Sequence, residues 1–545
     1  MKRIISILLC LVLILALAAC NSGEEVQIII DENGNVISGD GAIVSGGSEN
    51  GGGNDGGQQN GGQQGDGGQQ SGGGQQSGGS ATTPNITYPD SLPLAMNTYY
   101  RNTIGADITA KDATTKEIDT KATAYWNNVE NYKDTITATG KTYYIAANGS
   151  DSNSGTSADK PLKSYLSLAK SGKLKAGDAV LFRRGDIFRG YELPLISGVS
   201  YGAYGTGIKP RIYGSVDGKA AKWTETITKG VYKCSLNITG FSNIVFDNGV
   251  AVGRVVKKQA DLTKKKYNTL LEGNKIYVYS PDGNPADVFA SIEIAQGYCL
   301  FVGNSTGELR NVKVQNLAIM YAGVHGFGKL GKSYNVEIEG CVLGFHGGRD
   351  LYTTGNSLGN AIEFWGVAKD IKVHDNYIFQ CFDTGITHQG TVGGGKNTFD
   401  NIKYYNNLIE YCVWSIEAWQ ESGDTYGDVT IEGNICRYAG WGWGSLDRPD
   451  KNVYSDIQYT RAHTGNLIIK NNIFDRSRGG TFGMGKREYF DDKASLYQFT
   501  DNTIVIAKNR SLGSILGESC GYNGNYDAFL NKYFGTVSGN KIVTQ

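Results

Sequence analysis

NIKYYNNLI (401–409) alternates side chains that suit an apolar interior with side chains that suit water, bends at Asn406-Asn407, and closes on a short apolar run. The alternation is the period-two mark of a half-buried strand, and asparagine suits the tight bend that follows. Six other segments open the same way: NVKVQNLAI at 311, NVEIEGCVL at 335, DIKVHDNYI at 370, DVTIEGNIC at 428, NLIIKNNIF at 466 and LYQFTDNTI at 496. Consecutive openings lie 24, 35, 31, 27, 38 and 30 residues apart. Strands that recur at this period, each with one apolar face, stack into a solenoid whose rungs bury each other's inner faces. No long helix-forming run interrupts them, which argues against a leucine-rich horseshoe. The expected fold is all-β, a parallel β-helix, with Ile402 pointing inward and Lys403 outward. The uneven spacing places inserted loops between strands, where binding faces are commonly built.

Around this repeat the chain changes character. MKRIISILLCLVLILALAAC (1–20) joins two basic residues to an apolar run that stops abruptly, the pattern of a signal peptide over 1–19. Leu17-Ala18-Ala19-Cys20 resembles the lipobox of bacterial lipoproteins. That resemblance implies a diacylglycerol on Cys20, membrane anchoring and a place in the cell envelope or at the cell surface. Residues 20–80 then read as a tether, since the Gly/Gln/Ser-rich stretch 51–80 cannot bury a core. Thirty such residues span on the order of 30 Å. VQIIIDENGNVIS (26–38) suits a small hairpin. Residues 81–139 form an N-terminal cap, with a helix over 114–134 expected to close the open end of the solenoid. The β-helix occupies 140–545, with a β-rich, off-period insertion at about 216–290.

Without Lys2 and Arg3 the chain holds 50 basic against 53 acidic side chains, a balance that suggests no nucleic acid as partner. Seven cysteines remain beyond Cys10 and Cys20, with no CxxC among them. That argues against a zinc site or a disulfide framework and for small buried side chains. Cys381 and Cys412 align between repeats and suit a core stack. A monomer is expected.

YYIAANGSDSNSGTSADKP (143–161) and AGDAVLFRRGDIFRG (176–190) carry a resemblance to a known group. Tyr143-Tyr144-Ile145, Asn148-Gly149, Asp151, Gly155-Thr156, Lys160-Pro161 and Gly177-Asp178 resemble the entry segment of the pectate-lyase-like superfamily of carbohydrate-active proteins. The resemblance implies a right-handed parallel β-helix and a polysaccharide substrate. It leaves the reaction open, because that superfamily holds glycoside hydrolases, polysaccharide lyases and proteins without known activity.

The candidate site follows from aligning Ile362, Ile386 and Ile416. The next residues, Glu363, Thr387 and Glu417, then fall on successive rungs, with the two glutamates about 9–10 Å apart. Asp383 and His388, in FDTGITHQG (382–390), flank the rung between them. Asp383, Glu417 and Glu363 are the candidate catalytic groups, with Asp383 and Glu417 as the leading pair. Neighbouring carboxylates that cannot ionise freely together provide an acid and an ionised partner at neutral pH. All five histidines fall between 325 and 463, and Trp365, Trp414, Trp419, Trp441 and Trp443 crowd the same region. His388, Trp365, Trp419, Trp443 and Arg448 are the candidate substrate contacts, because indole faces suit sugar rings; Trp414 and Trp441 suit either that role or a stacked core.

Three readings remain open. Glycoside hydrolysis by paired carboxylates needs no cofactor. Lyases of the resembled group often use Lys or Arg as the base, which brings in Arg448, Arg478, Lys486 and Arg487, with Ca²⁺ to neutralise a uronate. No dense aspartate cluster of the Ca²⁺ type stands out between 370 and 450. The third reading is a non-catalytic glycan-binding or structural surface protein.

Overall fold

The structure is a computed structural model. It describes residues 112–545 apart from 239, 304–306, 352–355, 391–395, 421–422, 447–453, 460–463 and 487–493, together with two short strands near the N-terminus. The chain divides into two compact units, 1–84 and 85–545. In the first, Ile29–Ile30 pairs antiparallel with Val36–Ile37, the hairpin expected within 26–38. Cys20, the glycine-rich stretch, Arg448 and Arg487 lie outside the described residues.

The second unit is a right-handed parallel β-helix, walled among the described residues by three sheets of 12, 10 and 10 strands. Every opening read from the sequence lies in the 12-stranded sheet, here called the base. Val312, Val336, Ile371, Ile402, Val429 and Leu467 stack in register, with Val314, Ile338, Val373, Tyr404 and Ile431 one pleat further on. Ile402 is fully buried and Lys403 exposed, as the alternation requires.

The bend from the base to the next ten-stranded sheet, the back, explains the asparagines. Its first residue takes a left-handed conformation on rung after rung: Asn316, Gly340, Asp375, Asn406, Gly433, Asn471, Asp501 and Gly539 all have φ between 53° and 66°. Only glycine, asparagine and aspartate enter that region at low cost. The next residue forms a buried ladder. Asn376, Asn407, Asn434, Asn472 and Asn502 each donate from Nδ2 to the Oδ1 of the asparagine one rung on, at 2.9–3.1 Å, ending at Asn540. Each Oδ1 also accepts the preceding rung's backbone N–H, so an otherwise orphaned corner is satisfied.

Two antiparallel four-stranded sheets interrupt the coil between Ser215 and Ala295, matching the insertion expected at about 216–290. The helix expected over 114–134 runs Ala113–Glu130, opened by a reciprocal cap between Asp112 and Thr115. Its place differs from expectation. Ala122, Val129, Tyr125 and Trp126 pack against Tyr377, Leu408 and Ile435 on the outer face of the back sheet, so the helix braces the flank. The back sheet's outer face is apolar and needs a cover, a demand invisible in the helix's own sequence. The ends are closed by other elements. Tyr165 and Leu168 of the short helix Tyr165–Lys170 and Leu530 of the helix Tyr526–Tyr533 join the central core. The seven described cysteines are all buried and free.

Candidate functional site

The third sheet, here called the front, carries the candidate site. Ile362, Ile386 and Ile416 pair directly, as do Glu363, Thr387 and Glu417 on the neighbouring position. The next row along the strands is Phe364, His388 and Ala418, and after it Trp365, Gln389 and Trp419. Alternation sends the first and third of these rows inside and the second and fourth out.

His388 is therefore not a substrate contact. It is fully buried, with Nδ1 3.1 Å from the Tyr404 hydroxyl and its ring among Phe399, Tyr404, Tyr426 and Tyr459. The reason is parity: it stands two residues from the inward Ile386. Trp443 is also removed from the exposed face that carries the two glutamates. It is buried against Phe382 at 4.9 Å, edge to face, and donates Nε1–H to the Gln380 carbonyl. Trp414 and Trp441 are buried too, in separate clusters rather than one ladder. Trp365 and Trp419 remain, 40% and 42% exposed, on the same two rungs as Glu363 and Glu417. Each stands two residues beyond its glutamate and shares its face.

The three carboxylates have distinct surroundings. Glu417 Oε2 accepts from Thr384 Oγ1, Thr387 Oγ1 and Gln389 Nε2, each at 3.1 Å. Three neutral donors from one strand thus converge on a single carboxylate oxygen. Glu363 sits differently. Its one amide donor is Asn360 Nδ2, 3.2 Å from Oε1, and burial, reinforced by the charge of Asp383 and then of Glu417, pushes it up to about 8. It is protonated at neutral pH. Asp383 is buried at the bend that feeds the middle rung, its carbonyl accepting from Val413 N–H.

Four residues that the sequence reading did not single out complete the site. His325 lies one rung before Glu363; its Nδ1 accepts the Asn360 N–H at 3.0 Å, which puts the ring proton on Nε2, 3.4 Å from Glu363 Oε2. Burial pulls His325 down to about 3, so it stays neutral. Asn360 also accepts the Thr384 N–H, and through Thr384 the chain of bonds reaches Glu417. The last is Gln389. Extending the alignment to three residues before the glutamate row and two after it would have found Asn360, Thr384 and Gln389. His325 would have needed one more rung, which lacks an acid to mark it.

Among the lysines and arginines considered for elimination, Arg478 is half-buried over Trp441 and Tyr454, three rungs from Asp383. Among the described residues, one cluster elsewhere has the make-up of a metal site: Glu337, Glu339 and His374 converge on the outer face of the base sheet. Lys313 Nζ already lies 3.1 Å from Glu337 and 2.7 Å from Glu339, supplying the positive charge a cation would bring.

No protein-family model and no curated protein matches the chain. Solved structures with a similar fold include XylC in complex with xylose, 14% identical over 74% of this chain and 76% of XylC, with a TM-score of 0.43. The lacto-N-biosidase of family GH136 from Eubacterium ramulus is 13% identical over 74% of this chain and 68% of its own, TM-score 0.34. The polygalacturonase from Erwinia carotovora ssp. carotovora is 12% identical over 76% of this chain and 97% of its own, TM-score 0.33.

Proposed function

We propose that the front face hydrolyses a glycosidic bond, with Glu363 as general acid and Glu417 as the ionised base. One observation carries this reading: two glutamates on one row, two rungs apart, meet unlike surroundings, Glu363 buried and pushed up to about 8 and Glu417 with three neutral donors on one oxygen. The sequence favours Asp383 with Glu417; the buried setting of Glu363 moves the acid role to Glu363. Asp383 then serves as the charge that helps keep that proton in place. Glu363 would protonate the departing glycosidic oxygen while Glu417 draws a proton from the attacking water. The rung spacing separates the two backbone positions by about 9–10 Å, which suits a pair with a water between, and hence inversion at the anomeric carbon. His325 is a positioning residue, fixing the Glu363 carboxyl without taking its proton. Trp365 and Trp419 would stack beneath sugar rings on either side.

The test is a panel of polysaccharides assayed for reducing ends and for the absorbance of unsaturated uronates. Reducing ends without that absorbance are expected, together with a loss of about 10²–10⁴-fold in Glu363→Gln and in Glu417→Gln, far from additive when combined. Unsaturated products, or full turnover in both variants, would refute the reading.

The N-terminal pattern supports a lipid anchor at Cys20 with the folded unit tethered outside the membrane. Cys20→Ser is expected to release the protein from the membrane fraction or to block its processing. A variant processed normally and still extracted only by detergent would refute the anchor.

A further inference from the structure

Following the edge of the front sheet away from the acids leads to a second chemical feature. The bends that feed the front strands stack along one line. Val413 N–H binds the Asp383 carbonyl, Gly440 N–H binds that of Cys412, Arg478 N–H binds that of Ala439, and Ser511 Oγ lies 3.3 Å from the Gly479 carbonyl. Asp383 and Arg478 stand on this line three rungs apart, about 14 Å at the spacing of paired strands. Arg510 belongs to the next rung.

Arg478 and Arg510 share one indole. The Arg478 guanidinium carbon lies 5.3 Å from the Trp441 ring centre and 4.9 Å from that of Tyr454, and the Arg510 carbon lies 5.1 Å from Trp441. Trp441 is itself fixed, buried with Nε1–H donated to the Arg476 carbonyl. The neighbouring arginines are used differently: Arg476 and Arg437 are buried and paired with Asp475. Among the described residues, Arg478 and Arg510 make no ion pair. Burial, with the charge of Arg478, lowers Arg510. Two like charges held against one ring have no carboxylate partner among the described residues, and planar guanidiniums match carboxylate and sulfate oxygens well.

We propose that Arg478 and Arg510, seated on Trp441, form a subsite for an anionic group on a glycan bound along the front edge. The group is a carboxylate or a sulfate ester, several sugars removed from the bond at Glu363 and Glu417. The inference rests on the reading of the front face as a glycan site, but not on hydrolysis there. It makes charged oligosaccharides the preferred ligands and places their charge at a fixed distance from the acids.

Binding rather than turnover tests it. Glu417→Gln protein is titrated by calorimetry with tetragalacturonate, with a sulfated galactan tetrasaccharide and with uncharged xylotetraose. At least one charged probe is expected to bind about ten-fold or more tighter than the neutral one, with an advantage that shrinks in high salt. Whichever charged probe binds identifies the anion. Arg478→Gln/Arg510→Gln is expected to erase the advantage. Arg510 is exposed, so Arg510→Gln alone, expected to fold normally, carries the test if the double variant does not. Equal binding of charged and neutral probes, no binding of either, or an advantage that survives loss of the arginines overturns the subsite. Turnover that survives Glu363→Gln refutes the hydrolase reading while leaving arginine-dependent binding intact, so the two failures can be told apart.

Discussion

At the scale of single residues, the front face turns on one proton. Glu363 is buried and raised to about 8, first by desolvation and then by the charge of Asp383. If it is the general acid, kcat/KM falls as pH rises through about 8, and Asp383→Asn shifts that fall to lower pH. The same group makes a stability prediction. Its folded pKa exceeds the unfolded value, so between roughly 4.5 and 8 the native state holds a proton that the unfolded chain has lost. Stability therefore drops with rising pH across that window, and Glu363→Gln should flatten the drop in melts taken at several pH values. His388 gives a contrary expectation. It sits inside the coil among aromatic rings, so His388→Phe should leave glycan binding unchanged, whereas His388→Asp should lower the melting temperature sharply by burying an uncompensated charge. A loss of affinity in a well-folded His388→Phe protein would return this residue to the binding surface.

At the scale of elements, the rung is the unit, and its corner is the least replaceable part. Asn434 accepts from both N–H groups offered by Asn407 and donates to the Tyr404 carbonyl and to Asn472. Asn434→Ala strands several buried polar groups at once, with an expected cost of about 1–3 kcal/mol for each orphaned donor or acceptor, read as a shift in denaturant midpoint. Within the strand above it, Ile402→Asp should unfold the coil locally, while Lys403→Ala should cost under about 0.5 kcal/mol. Similar effects from the two changes would contradict the observed register. The sequence displayed the left-handed corner as a recurring Asn, Asp or Gly. It also displayed the ladder residue one position later, but only stacking shows that these asparagines bond to each other.

At the scale of the whole molecule, the coil has a flank and two ends to protect. Tyr125, Trp126, Ala122 and Val129 of the N-terminal helix cover the apolar outer face of the back sheet, and Asp119 pairs there with Arg437. A chain that begins at Thr135 should therefore bind a hydrophobic dye and associate at concentrations where the full chain stays dispersed, as size exclusion would show. If it stays monomeric and silent to the dye, the helix is dispensable cover. The sequence announced the helix but assigned it to the open end of the solenoid, because its own residues say nothing of the back sheet it covers. The short helices that close the ends carry too few apolar residues to be told from loop turns, and their role exists only because the coil has ends.

What the sequence determined by itself is whatever depends on period. Alternation at two residues and recurrence at roughly thirty specified the parallel coil, the inward row of Ile362, Ile386 and Ile416, and the alignment of Glu363 with Glu417. Such features are local choices repeated, and each repeat restates them. Alignment alone also held the answer for His388, since the parity that turns Glu417 outward turns His388 inward. What only the tertiary structure decided depends on the environment around a side chain. The burial that protonates Glu363, the three donors that converge on Glu417 and the neutral His325 that steadies the acid come from residues on different rungs. So does the pairing of Arg478 with Arg510 on one indole. Distance along the chain does not report any of these contacts, because the coil brings residues about thirty positions apart to within one strand spacing of each other.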